Sequence, residues 1–255
     1  MIFPIGDDNS DRTATPLVNY LLIAINVLVF VLLQGGGSNE KFTYAYSTVP
    51  QEIVTGTDID RPVSIQDAAG SEIGRIDLQP TPPSVYITLL TSMFMHGGWM
   101  HLFGNMLFLW IFGDNIEDRL GHGRYLVFYL VCGLLASLTH VFTSVAFAGD
   151  NRLSLLIPSL GASGAISGVL GGYLLLFPRR QVRVFILRML TTVPAIVAIG
   201  LWFVLQLVES FGMLSSGPQS GGGVAYAAHI GGFIAGLILI KLFAAGRGPS
   251  ASPAV

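Results

Sequence analysis

Apolar residues in this chain gather into long runs separated by polar stretches. The first run covers about Leu17 to Leu33, and a long polar stretch follows it to about Ser84. The second covers roughly Trp99 to Phe112 and is preceded by the apolar piece Val85–Met95, which reads either as an interfacial helix or as an early part of the span. Further runs cover about Tyr125–Ser144, Leu160–Phe177, Val193–Val208 and Val224–Phe243. Each approaches the ~20 residues that an α-helix needs to cross a hydrocarbon core of ~30 Å. The pattern predicts an all-α, multi-pass membrane helical bundle of six transmembrane helices over residues 17–243. Residues 1–16 form an N-terminal segment, 34–84 a loop insert, and 244–255 a Gly/Pro/Ser/Ala-rich tail expected to be disordered. Within the insert, Val63-Ser64-Ile65 and Ile73-Gly74-Arg75-Ile76 flank a turn-like Asp67-Ala68-Ala69-Gly70, the signature of a β-hairpin.

Composition supports the membrane reading. The 255 residues are 52% hydrophobic and 11% charged, with mean hydropathy +0.65, where a soluble domain is roughly a quarter charged. A net charge of −2 without a basic run offers nothing to a nucleic acid. The single cysteine, Cys132, excludes an internal disulfide. The first run lacks a small-residue cleavage site and reads as an anchor. Lys and Arg set the orientation, because loops rich in them stay cytoplasmic. Arg179, Arg180, Arg183 and Arg188 follow span four with no acid among them. Arg119 and Arg124 join spans two and three, and Lys241 and Arg247 end span six. Alternation puts these segments, Arg12 and both termini on the cytoplasmic side of what is expected to be a bacterial plasma membrane.

Polar groups inside a bilayer are costly and each needs a reason. His101 and Asn105 in span two, Ser163 in span four and His229 in span six all fall near the outer leaflet in this topology. Asn105 lies one turn, ~6 Å, deeper than His101 on the same face. Gly164, Gly168 and Gly172 form a small-residue stripe on span four, and Gly232 and Gly236 form another on span six. Such faces let helix backbones approach closely, which would bring the Ser163 hydroxyl within reach of the His229 imidazole. A serine hydroxyl becomes a useful nucleophile when a base takes its proton. No Asp or Glu lies at matching depth, so the pattern favours a dyad over a triad. Asn105, His101 and the Ser163 backbone N–H are donors suited to an oxyanion.

At these residues the chain resembles the rhomboid family of intramembrane serine proteases. The matching stretches are His96-Gly-Gly-Trp-Met-His101-Leu-Phe-Gly-Asn105, Gly161-Ala-Ser163-Gly164 and Ala228-His229-Ile-Gly-Gly232-Phe-Ile-Ala-Gly236. The resemblance implies Ser163 as nucleophile, His229 as general base, and His101 and Asn105 at the oxyanion. It implies cleavage of transmembrane protein substrates near the outer leaflet, without metal or cofactor. Many family members carry an aromatic residue four positions after the serine, stacked on the histidine. Here that position is Ser167, so the histidine must be packed from elsewhere. The stretch Gly113–Arg119 resembles the family's cytoplasmic end of span two and reads as structural, and His140 reads as a helix–helix partner.

Other chemistries lack their residues. There is no His-Glu-x-x-His for a zinc protease, no paired aspartates within spans, and no Gly-x-Ser-x-Gly elbow. The alternatives are a transporter, for which internal repeats and midplane charges are wanting, and a non-proteolytic membrane-protein-binding relative. Water has to reach Ser163 from the outer side, so span five and the loop Gly217–Gly223 are expected to gate it.

Overall fold

The computed structural model describes residues 2–66, 72–148, 152–186, 189–216 and 223–246. Strand β1 (Ile2–Asp7) precedes helix α1 (Leu17–Leu28), which runs on through a wider turn to Leu33. The insert carries two short helices, α2 (Glu40–Ala45) and α3 (Pro50–Thr55), and a hairpin of β2 (Val63–Gln66) and β3 (Glu72–Ile76). The hairpin's expected turn, 67–70, lies outside the described residues. Helix α4 (Thr88–Thr91) stands before the long helices α5 (Trp99–Leu120), α6 (His122–Ala146) and α7 (Ser163–Leu176). Strands β4 (Gln181–Ile186) and β5 (Met189–Pro194) lead to α8 (Ala195–Ser216) and α9 (Gly223–Ala244).

The chain is mostly helical, as expected, but not wholly so. Strands β1, β4 and β5 form an antiparallel sheet with β4 in the centre. The reason is visible in Gln181–Ile186, where Val182 and Val184 turn inward and are fully buried while Gln181, Arg183 and Phe185 face out. That alternation of period two is a strand signal, and reading the arginines only for topology passes over it. The N-terminal segment is therefore partly a strand. Most of the tail expected to be disordered, 247–255, lies outside the described residues.

Beneath the sheet is a buried polar cluster. Asp7 accepts from the Tyr173 hydroxyl (2.6 Å) and the Asn115 amide (2.8 Å). Burial pushes the Asp7 carboxyl up to about 7, although both hydrogen bonds pull the other way. Arg12 pairs with Asp114, and Arg180 with Asp11. One turn along α5, the Glu117 carboxylate accepts from the Val18 and Asn19 N–H groups at 2.9 and 2.7 Å. It thereby satisfies first-turn donors of α1 that have no partner within their own helix. Asp118 accepts from the N–H groups of Thr13 and Ala14. The Gly113–Arg119 stretch is thus a clamp for the start of α1. His122, the first residue of α6, pairs with Glu117. At Gly121 the chain reverses between α5 and α6 with φ +75°, a conformation that favours glycine.

Helices α7 and α9 pack most extensively, with α6 against both. An added Cβ at Gly232 would stand 2.1 Å from the Gly164 carbonyl oxygen, and one at Gly236 2.0 Å from that of Gly168. The two glycine stripes therefore face each other backbone to backbone. The outer faces remain apolar: Leu21, Leu32, Phe103, Phe142, Ile238 and Leu242 are all exposed. So extended an apolar surface marks contact with a membrane or a partner. Among the described residues, His122–Ala146 and Tyr226–Ala244 are long and apolar enough to cross a bilayer. Leu17–Leu33, Ser163–Leu176 and Ala195–Val208 are shorter apolar helices.

Candidate active site

Ser163 is the first residue of α7, so its N–H belongs to a turn whose donors have no intrahelical acceptor. The close approach of α7 and α9 brings Ser163 Oγ to 2.7 Å from His229 Nε2. The pairing expected from the glycine stripes is present as geometry. Gly161, two residues earlier, has φ +119°, and a Cβ there would lie 2.8 Å from His101 Nε2. A side chain at Gly161 would collide with the imidazole of His101, so glycine lets that ring stand beside the loop before Ser163. His101 Nδ1 accepts from Gly97 N–H at 3.3 Å. Asn105 is buried one turn further along α5, and its amide nitrogen has no hydrogen-bond partner among the described residues. It is a donor in reserve, the condition an oxyanion ligand has to meet.

The surroundings of His229 are the main feature the sequence reading passes over. Its Nδ1 lies 2.6 Å from Gln206 Oε1 on α8. The Trp202 ring, one turn earlier on α8, is tilted against the imidazole with centroids 6.2 Å apart. Tyr226 meets it edge-on at 6.1 Å. Ser167, in the position where an aromatic was missed, donates to the Ser163 carbonyl at 2.7 Å. Packing for the imidazole thus comes from α8 and α9. Gln206 was open to discovery by the rule that found the others, since it is a lone polar side chain in an apolar run.

The insert also reaches the site. Thr48 pairs with Ser159 through both backbone bonds, at 2.9 and 2.8 Å. Its hydroxyl donates to Thr88 O (2.8 Å) and lies within hydrogen-bond distance of the Ser92 hydroxyl (2.9 Å), while Gly161 N–H donates to Ser92 O at 2.8 Å. The loop that precedes Ser163 is held by these contacts. A small cavity beside Ser163 is walled by Ser92, Ser137, Ser159, Gly161 and Ala228. His96, immediately ahead of α5, is fully buried, and its backbone is held at both N–H and carbonyl by the Gln34 amide. His140 is buried in α6. Among the described residues no group of three His, Cys, Asp or Glu side chains is placed to hold a metal ion. Of the expected gate loop Gly217–Gly223, residues 217–222 lie outside the described residues.

Comparison with known proteins places the chain among its relatives. Residues 83–246, more than half the chain, match the family model of the rhomboid domain. The chain is 33% identical over 153 residues to "Rhomboid protein 1, mitochondrial" of Saccharomyces cerevisiae, covering 60% of this chain and 40% of that protein. It is 30% identical over 231 residues to "Rhomboid protease GluP" of Bacillus subtilis, covering 88% of this chain and 34% of that protein. It is also 30% identical over 151 residues to "Rhomboid protease GlpG" of Salmonella paratyphi A, covering 58% and 45%. The chain thus spans less than half the length of each of these relatives.

Proposed function

The chain belongs to the rhomboid family and is an integral membrane protein, and from that premise we propose that it is a serine endopeptidase that cleaves transmembrane segments near the outer leaflet. The observation that carries the proposal is the 2.7 Å contact between Ser163 Oγ and His229 Nε2. A base within hydrogen-bond reach of a hydroxyl is the geometry that nucleophilic catalysis requires. In the reaction, His229 Nε2 takes the Ser163 proton as Oγ bonds to the substrate carbonyl carbon. The carbonyl oxygen becomes an oxyanion, which the Asn105 amide, His101 and the Ser163 N–H stabilise. As the C–N bond breaks, His229 returns the proton to the leaving amine. Water then adds to the acyl-enzyme by the same proton route and frees Ser163. The substrate segment must unwind locally, because a helical peptide carbonyl is already hydrogen-bonded within its helix. Preferred substrates therefore carry small or helix-breaking residues near the cut.

The six-span topology with both termini cytoplasmic is part of the proposal. Pairing of β1 with β4 requires their two segments to lie on one side of the membrane. An even number of crossings between them meets that requirement, and in the proposed topology these are α1, α5, α6 and α7. The arginines around β4 favour the cytoplasm for that side, and a bacterial plasma membrane is the setting proposed.

The test is cleavage of a transmembrane substrate by purified protein in detergent, with wild type, Ser163→Ala and His229→Ala compared. Cleavage by wild type only is expected. Cleavage that survives Ser163→Ala would overturn the mechanism.

A further inference from the structure

We infer that Gln206 is a positioning residue for His229, its amide oxygen accepting the Nδ1–H so that the Nε2 lone pair is presented to Ser163. The inference rests on the dyad reading above and extends it to a residue outside the dyad. A neutral imidazole has one donor nitrogen and one acceptor nitrogen, and what each meets decides which is which. Left without a partner at Nδ1, the ring can carry its proton on Nε2, where it cannot accept from a serine. An amide oxygen 2.6 Å from Nδ1 selects the productive tautomer. The hydrogen bond also fixes the ring plane, which the tilted Trp202 ring supports from the same helix.

Three observations converge on this role. Gln206 is the one amide side chain in the apolar run Ala195–Val208, and a polar group in such a run is costly without a specific partner. Trp202 and Gln206 are four residues apart, hence on one face of α8, and both meet the same imidazole. Among the described residues the Nδ1 position is taken by the Gln206 amide, not by a carboxylate. A buried carboxylate would steady a protonated imidazole more strongly, but it would place a charge within the apolar part of the bundle. A neutral amide orients the ring without that cost.

The test replaces Gln206 by Met, which has similar length but no amide acceptor, and by Glu, which keeps an acceptor oxygen. Cleavage kinetics in detergent are read together with proton–nitrogen NMR of protein carrying labelled histidine, and with thermal unfolding. Gln206→Met is expected to lower kcat by ~10- to 100-fold, as small misalignments of a reacting group do, with KM within about threefold. Gln206→Glu is expected to recover most of kcat. The Nδ1–H signal of His229 should be present in wild type and lost in Gln206→Met. Unchanged kcat in Gln206→Met, or equal losses in both variants that track a fall in unfolding temperature, would overturn the inference. If wild type itself cleaves nothing, the dyad reading fails, and the NMR signal alone decides the contact. An Nε2–H tautomer in wild type would then remove the role assigned to Gln206.

Discussion

Replacing Gly232 by alanine should separate Ser163 from His229 without touching either residue. The new methyl group would lie 2.1 Å from the Gly164 carbonyl oxygen, a backbone atom with no rotamer through which to withdraw. Ordinary van der Waals contact begins at 3.4 Å, so α7 and α9 must part by 3.4 − 2.1, or roughly 1.3 Å, at this level. Gly232 is less than one turn from His229, and Gly164 adjoins Ser163. The separation therefore passes almost undiminished to the reacting pair. Added to the present 2.7 Å, it puts Oγ and Nε2 at roughly 4 Å, outside hydrogen-bond reach. Overpacking of this kind costs ~1–3 kcal/mol of stability, while a displacement near 1 Å of a reacting group costs ~100-fold in rate. The assay pairs initial cleavage rates with thermal unfolding in the same detergent. A folded Gly232→Ala protein that cleaves at least tenfold more slowly is the expected result. Wild-type rates in a folded variant would refute the claim that the glycine stripe sets the catalytic distance.

Two further outcomes follow from groups outside the spans. Asp7 holds its proton more tightly folded, at about 7, than at its ordinary 3.8. Its contribution to stability is thus complete below ~pH 4, declines as pH rises and is gone above about 7; at ~1.4 kcal/mol per unit it amounts to a few kcal/mol at most. Glu52, buried in the insert and also raised to about 7, adds a parallel slope, so Asp7→Asn should flatten the pH dependence of the unfolding temperature without abolishing it. An identical slope in the variant would count against the assignment. Thr48→Val strands the Ser92 hydroxyl and removes one of the two donors to the Thr88 carbonyl, and should cost ~1–3 kcal/mol. It should also slow cleavage, whereas exposed Thr55→Val should do neither; indistinguishable variants would argue that the insert does not support the site.

Much of the site was legible because membrane helices write their packing in small residues. Gly164, Gly168, Gly232 and Gly236 mark where two backbones touch, and Ser163 and His229 sit one step from that seam. What escaped notice did so for physical reasons. Gln206 lies on a helix without a glycine face, so no packing stripe pointed at its partner, and a lone amide attracts less attention than a histidine. Thr48 reaches Ser92 and Ser159 through a loop, and tertiary contacts made by loops have no period to read. The β1–β4–β5 sheet was available in the alternation of Val182 and Val184 with Gln181 and Arg183. Its partner β1, though, stands at the far end of the sequence, and pairing across such a separation leaves no local trace.

That separation also orders events during synthesis. β1 is made before its partner β4, with α1, α5, α6 and α7 between them. Until α7 is made, Asp7 lacks Tyr173, its buried hydroxyl partner, and Arg12 has only the α5 end to hold. In the topology proposed above, β1 waits on one side of the bilayer while the helices between the two strands are threaded. In that topology, closure of the sheet is the first moment at which the chain can register that its early helices have been inserted in an even number.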